Sequence, residues 1–475
     1  MESKNYHTVK IFIIFLSLTF ASLSSCTQKE KQLAETPPMG WNSWDCLGME
    51  MNEDEIKAAA DYMAKHLKQY GYEYIVLDMG WNFGEGLGTN NFHSGLGTPN
   101  WKPYHNPPQF MDEYGRLIPN PKRFPSSVNG KGLKPLADYI HSVGLKFGIH
   151  IMRGIPWQAV EQNTPIKGTL FKARDIYTDS TRCVWFEGMK TVDMTKPGAQ
   201  EYYDSLLELY TEWGVDFIKA DDIINPYRIP EIEAFYKAVQ KTGRRIVINL
   251  SAYAPFDFAN HVSEHANMWR ITGDMWDAWV AIDHTFKVCR QWQKYIKPGH
   301  WPDCDMIPIG KLRMNGTDGA LAYFLNIDKE STINEFSRLT EDEKQTIVSL
   351  WSIFRSPLMI GGYLPELTPS DFDLLTNKEV LAINQASINN RELRFSEKES
   401  VWTADSPDRK TMYLALFNTG EEPSIPIQVT WQELGISGKY KVRDLWKKKD
   451  LDVFDQQVVF DVNRHGCVLL ALKKK

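Results

Sequence analysis

Val215-Asp216-Phe217-Ile218-Lys219-Ala220-Asp221-Asp222 is an apolar run that closes on a lysine and two adjacent carboxylates. Val215, Phe217 and Ile218 read as a buried strand, and the charges sit at its C-terminal end. In a parallel α/β barrel the strand C-termini form one rim, and active sites are assembled there from several strand ends. Asp also favours caps and turns, so one such cluster could simply start the next loop. Further strand-like segments end the same way: Tyr74-Ile75-Val76-Leu77-Asp78, Asn267-Met268-Trp269-Arg270-Ile271-Thr272-Gly273-Asp274 and His300-Trp301-Pro302-Asp303-Cys304-Asp305-Met306. The repetition favours a shared rim.

Outward from that strand, helical and extended patterns alternate. Helices are expected over 53–69 (Ile56, Ala60, Met63 and Leu67 at helical spacing, stopped by Gly71), 132–143, 197–213, 231–242, 278–295, 341–354 and 370–384. Further strands are expected over 36–44, 146–153, 245–251 and 357–362. Strand and helix alternate about eight times over roughly 350 residues, which predicts a (β/α)8 TIM barrel rather than an open doubly wound sheet. No GxGxxG follows the first strand, which counts against a dinucleotide fold. Residues 82–131 and 154–193 form long excursions, and loops of that size are usually functional or mobile.

After about residue 390 the pattern changes to short β-prone runs such as Met412-Tyr413-Leu414-Ala415-Leu416-Phe417 and Cys467-Val468-Leu469-Leu470-Ala471-Leu472. A C-terminal antiparallel β-sandwich is expected. The predicted organisation is therefore a signal peptide over 1–25, a tether over 26–35, a catalytic barrel over 36–388 and the sandwich over 389–475.

The first of these assignments rests on Lys4 and Lys10 ahead of the apolar run Ile11-Phe12-Ile13-Ile14-Phe15-Leu16, too short to remain as a membrane span. It ends in Leu23-Ser24-Ser25-Cys26, which resembles a bacterial lipoprotein signal. That resemblance implies cleavage before Cys26, lipidation of its thiol, and an exported protein whose membrane contact is this anchor, on the periplasmic or outer face of the outer membrane. The other cysteines, Cys46, Cys183, Cys289, Cys304 and Cys467, are odd in number and widely spaced. They indicate neither a disulfide scaffold nor a zinc site.

A net charge of −6 leaves no electrostatic footprint for nucleic acid. Aromatic content is high, with 16 Trp and 20 Tyr. Most must pack the core, but at loop positions they offer flat faces suited to sugar rings. Carboxylates converging on a rim with Trp, Tyr and Arg among them, and no His-rich metal set, suit glycoside hydrolysis without a cofactor. That reaction needs one carboxylate at the anomeric carbon and a second to protonate the leaving oxygen, about 5–5.5 Å apart in retaining enzymes and about 6.5–9.5 Å in inverting ones. One carboxyl must hold a proton while its partner stays ionised beside cations. Lys219 projects to the same side of its strand as Asp221 and could supply that charge.

Pro38-Met39-Gly40-Trp41-Asn42-Ser43-Trp44, Tyr74–Asp78, Lys219-Ala220-Asp221, Trp269-Arg270 followed by Asp274, and Trp301–Met306 resemble, as an ordered set, glycoside hydrolase family 27. The resemblance spans nearly all of the mature chain and implies a barrel followed by a C-terminal β domain. It implies retention through a covalent intermediate, with Asp221 as nucleophile and Asp274 as acid/base. Lys219, Arg270 and Asp78 match residues that bind sugar hydroxyls. Trp44 matches an aromatic wall, and Asp305 a carboxylate near the site. The carbohydrate is the only partner implied, and no oligomeric state follows.

Three positions depart from the family pattern. Met79 stands where a second aspartate usually binds the axial hydroxyl that marks galactose, and a thioether is a poor acceptor. Ser251 stands where α-galactosidases tend to carry glutamate, as in members that accept N-acetylgalactosamine. Asp222-Ile223 replaces a cysteine that often follows the nucleophile. The leading expectation is an exo-acting α-galactosidase. α-N-acetylgalactosaminidase, β-L-arabinopyranosidase and isomaltodextranase remain open, as does a non-catalytic glycan-binding lipoprotein. A metal-dependent barrel hydrolase lacks a convincing ligand cluster.

Overall fold

The computed structural model describes residues 32–84, 108–316, 331, 333 and 335–475. Cys26, the signal segment and most of the tether lie outside the described residues, as do 85–107 of the first long excursion. Residues Leu33–Lys475 pack as one unit.

Eight parallel strands form its centre: β1 (Met39–Asn42), β2 (Tyr74–Leu77), β3 (Lys146–Met152), β4 (Phe217–Asp221), β5 (Val247–Leu250), β6 (Met268–Arg270), β7 (Trp301–Asp303) and β8 (Leu358–Ile360). Each pairs with its neighbours in chain order from β1 to β7, and β8 pairs with β1. The ring closes just beyond β7. Ile307 donates to the Met359 carbonyl at 2.7 Å and accepts from the Gly361 amide at 2.9 Å. The expected TIM barrel is the observed one. Its strands read as apolar runs because both faces are covered; β2 and β5 are buried at every residue. Gly40 lets β1 and β2 pack closely, since a Cβ there would fall 2.4 Å from the Tyr74 carbonyl oxygen.

The outer ring holds α1 (Glu53–Tyr62), α2 (Lys134–Ser142), α3 (Ala199–Trp213), α4 (Ile229–Thr242), α5 (Ala259–His265), α6 (Trp279–Trp292), α7 (Glu341–Phe354) and α8 (Lys378–Ala386). Asn52 and Glu55 close a capping box at the start of α1, exchanging bonds of 3.1 and 3.0 Å. The helix expected over 53–69 changes pitch at Met63, continuing as a π-turn and a 3-10 turn to Gly71. The helix expected over 370–384 is two, Pro369–Leu375 and α8, because Asn377 caps a new start. Helix α5 has no counterpart in the sequence reading. It is only seven residues long, and its polar composition hides its period.

From Ile388 onward the strands are antiparallel: β9 (Ile388–Phe395), β10 (Glu399–Asp405), β11 (Thr411–Asn418), β12 (Ser424–Thr430), β13 (Lys439–Asp444), β14 (Lys449–Asp455), β15 (Gln457–Asn463) and β16 (Cys467–Lys474). Six form one sheet in the order β9-β10-β11-β16-β13-β14, and β12 pairs with β15. Val401, Leu414, Leu416, Leu470 and Leu472 of the larger sheet share a core with Ile427, Val429, Val458 and Val462 of the smaller. Strands β9 and β14 escaped the sequence reading because both are charged and only half covered.

Helix α7 joins the two parts. Thr346 donates to the His465 carbonyl at 2.7 Å, Trp446 Nε1 to Ser349 Oγ at 2.8 Å, and His465 Nδ1 lies 2.7 Å from Glu343. Arg355, at the end of α7, donates to the carbonyls of Asn384, Gln385 and Ser387 at 2.6–3.1 Å and lies over Trp301. Replacing it with methionine leaves three backbone acceptors without a donor. The Arg355→Met variant should therefore lose about 3 kcal/mol in urea unfolding; a loss under about 1 kcal/mol would show that water replaces the guanidinium.

Candidate active site

The rim at the strand C-termini is lined with charge. Asp221 ends β4, Asp78 follows β2, Arg270 ends β6, and Asp274 lies four residues further on. The buried floor of this rim is an ion pair: Lys219 Nζ donates to Asp78 Oδ2 at 2.7 Å, with 7% and 3% of the two side chains exposed. Asn42 donates to the same oxygen at 2.7 Å, and the Met79 amide to Oδ1 at 2.8 Å. Burial alone would raise the Asp78 carboxyl. The charges of Lys219 and His150 and the Lys219 hydrogen bond outweigh it and hold Asp78 well below the usual range.

Arg270 is the second buried cation, donating to Asp274 Oδ1 at 2.7 Å and to Asp305 Oδ1 at 3.3 Å. Asp305 Oδ2 accepts the Met275 amide at 2.8 Å, which fixes the turn carrying Asp274. Asp274 does not cap the next helix, whose N-cap is Ala278. Below these groups Asp303 accepts from Asn249 at 3.2 Å and from the Asp305 amide at 2.9 Å. Burial, then repulsion from Asp305, raises Asp303 to about 6.

Exposure separates the carboxylates. Asp221 is 19% and Asp274 48% exposed, whereas Asp78 and Asp305 are each 3% exposed. Of these four, Asp221 and Asp274 are the ones open to solvent. Burial tends to raise the Asp221 carboxyl. The hydrogen bond and charge of His150, then the charges of Arg270 and Lys219, overcome this and lower it. An ionised Asp221 is thus built into the site.

The adjacent carboxylates of the founding motif part company. Asp222 adopts a positive φ of 56° and turns away to Arg153 at 2.8 Å. Burial, with repulsion from Asp221 working against the Arg153 charge, raises it to about 6. Ser251 is fully buried, and its hydroxyl has no hydrogen-bond partner among the described residues. Trp44 is half-buried and packs against Trp276 and Ala278.

Three neighbours escaped the sequence reading. His150 sits on β3 opposite Lys219, with Nε2 3.3 Å from Asp221 Oδ2. A lone polar residue in an apolar strand was the available signal. Asp45 is buried; burial, then repulsion from Asp305, raises it well above its usual value. A Cβ at Gly361 would fall 1.9 Å from its Oδ2, so the glycine makes room for it. Tyr253 is 53% exposed, with the hydroxyl end of its ring against Gly273, one residue before Asp274.

Comparison with known proteins agrees with this layout. The family model described as alpha galactosidase A matches residues 175–328 and 325–386, and the alpha galactosidase C-terminal beta sandwich domain matches 396–472. Alpha-galactosidase 2 of Arabidopsis thaliana is 28% identical over 98% of this chain and 97% of its own length. A GH27 β-L-arabinopyranosidase structure from Geobacillus stearothermophilus is 44% identical, with a TM-score of 0.84 over 93% of this chain and 97% of that one. A Bacillus halodurans structure assigned as an α-N-acetylgalactosaminidase is 38% identical, with a TM-score of 0.78 over 94% and 100%. A barrel with this rim and this appended sandwich defines a glycoside hydrolase. The chain belongs to glycoside hydrolase family 27, the α-galactosidase family.

His150→Phe removes the donor that helps lower the Asp221 carboxyl. Its pKa should rise toward the ordinary carboxylate value, moving the acid limb of kcat/KM to higher pH, with kcat reduced about tenfold. His150→Gln, which keeps an N–H donor, should restore much of both. An acid limb unmoved in the Phe variant would remove His150 from the positioning of Asp221.

Proposed function

We propose that this chain is an exo-acting retaining glycosidase that removes a terminal galactose-configured sugar by double displacement. The reading is carried by the pair of solvent-reachable carboxylates, Asp221 and Asp274, on separate strand ends with Arg270 charged beside both. Asp221 attacks the anomeric carbon while Asp274 protonates the departing oxygen. Asp274 then takes a proton from water, which opens the glycosyl ester from the face the leaving group vacated, so configuration is retained. Lys219, Asp78 and Arg270 hold the ring hydroxyls in charge-assisted hydrogen bonds. Trp44 lies along the apolar face of the sugar, and Ser251 and Asp305 border it.

Two sugars fit this reading. α-D-Galactopyranose and β-L-arabinopyranose share configuration from C1 to C4, and the pentose lacks the C6 hydroxymethyl group. Met79 places a buried thioether where the family usually has the acceptor for the axial hydroxyl, a group both sugars carry, so it does not choose between them. The similarity to a β-L-arabinopyranosidase at 44% identity favours the pentose. Para-nitrophenyl β-L-arabinopyranoside should be turned over with higher kcat/KM than the α-galactoside. Hydrolysis of neither, nor of the α-N-acetylgalactosaminide or α-glucoside, would overturn the proposal.

Asp221→Asn should lower kcat by on the order of 10³-fold or more while sugar binding persists. Proton NMR of the wild-type product at early times should show the anomer of the substrate. An inverted first product would rule out double displacement.

Export and lipid attachment at Cys26 belong to the same proposal, supported by Lys4, Lys10, the apolar run after them and Leu23-Ser24-Ser25-Cys26. The lipid would hold the enzyme at the outer membrane. Cys26→Ser should leave an exported chain that does not take up labelled fatty acid; labelling of that variant would place the anchor elsewhere.

A further inference from the structure

Away from the rim, two helices of the outer ring bring together three side chains that the glycosidase reaction does not use. Helix α5 carries His261 and His265 four residues apart, so both imidazoles share one face. Their centroids lie 4.2 Å apart at an interplanar angle of 22°. Glu233 of α4 faces them, with Oε1 3.4 Å from His261 Nε2. One nitrogen or oxygen from each of the three lies within 4.8 Å of the others.

The second nitrogen of each ring is already engaged. His261 Nδ1 lies 2.7 Å from the Tyr227 hydroxyl, and His265 Nδ1 lies 2.8 Å from the His261 carbonyl oxygen. A carbonyl can only accept, so Nδ1 of His265 carries the proton and Nε2 presents a lone pair. The partners are themselves fixed. Tyr227 stacks on Phe258 at 4.2 Å and 5°, and Tyr236 meets the His265 ring edge-on at 5.2 Å. A ring nitrogen anchored to a carbonyl or hydroxyl while the other points outward is how metal-binding histidines are oriented.

We propose that Glu233, His261 and His265 form a binding site for a divalent transition-metal ion of the zinc class. Zinc bonds of about 2.0–2.1 Å in a tetrahedron put neighbouring ligand atoms about 3.4 Å apart, which is the Glu233–His261 separation. Two imidazoles and a carboxylate suit zinc, nickel or cobalt better than magnesium or calcium, which prefer oxygen sets. The fourth position is filled by water. The ion takes no part in glycoside cleavage. It clips α4 to α5 and, through Tyr227, holds the loop that follows the nucleophile strand.

The test uses the full-length, tag-free chain, stripped with chelator and titrated with zinc chloride. Wild type should bind one equivalent, and its Tm should rise with zinc and fall back with EDTA. Glu233→Gln, an exposed change that leaves the fold intact, and His265→Ala should each abolish the zinc-dependent rise. Tyr227→Phe should weaken zinc about tenfold or more, as loss of an orienting partner does. Cobalt should give the absorption of tetrahedral coordination in wild type alone. Zinc stoichiometry near zero, or a thermal shift equal in wild type and both ligand variants, would overturn the proposal. Activity on an aryl glycoside should be equal with and without zinc.

Discussion

The Lys219–Asp78 pair is the contact on which the catalytic rim rests. Two opposite charges lie 2.7 Å apart inside the barrel mouth, almost without solvent. Removing either partner would strand a buried charge, a loss of about 3–5 kcal/mol. Such a pair adds little net stability over apolar residues of the same volume. Its effect here is orientational: it joins β2 to β4 and locks Lys219 two residues from Asp221. Arg270 repeats the device on the far wall, shared between Asp305 beneath and Asp274 above. Asp221 and Asp274 therefore each sit beside a cation that deeper acids hold in place.

Much of this could be read from the chain because barrel strands announce themselves twice. Tyr74–Leu77 is apolar at successive positions and Val247–Leu250 at all but Asn249, and Asp78, Asp221 and Asp274 lie at or just past the ends of such runs. Local signals failed where tertiary contacts decide the outcome. Asp221 and Asp222 are equivalent in sequence, yet one backbone turn at Asp222 sends the second carboxylate to Arg153. His150 became relevant only when β3 was laid beside β4 in register, which no single strand reveals. Tyr253 and Asp45 owe their positions to Gly273 and Gly361, whose missing side chains make space for them. Helix α5 is short and polar, so His261 and His265 looked unconnected to Glu233, 28 and 32 residues earlier.

The C-terminal sandwich is fastened to the barrel by a helix whose second half is buried all round. Along α7, residues from Thr346 to Phe354 are buried on every face. Leu350 and Ile353 belong to the same apolar cluster as Trp402 and Leu469 from the sandwich. Because one helix serves both cores, the sandwich extends the hydrophobic interior of the barrel instead of hanging from a linker. Its sheet edge at β9 also reaches the barrel through the Arg290–Glu392 ion pair.

The way the ring closes sets where it gives. Seven of the eight joins between staves are made by ladder pairing within the strands, whereas the last is made by Ile307, beyond the end of β7, through two backbone bonds. Cooperative opening begins where the fewest bonds must break together. This seam is accordingly the barrel's line of parting.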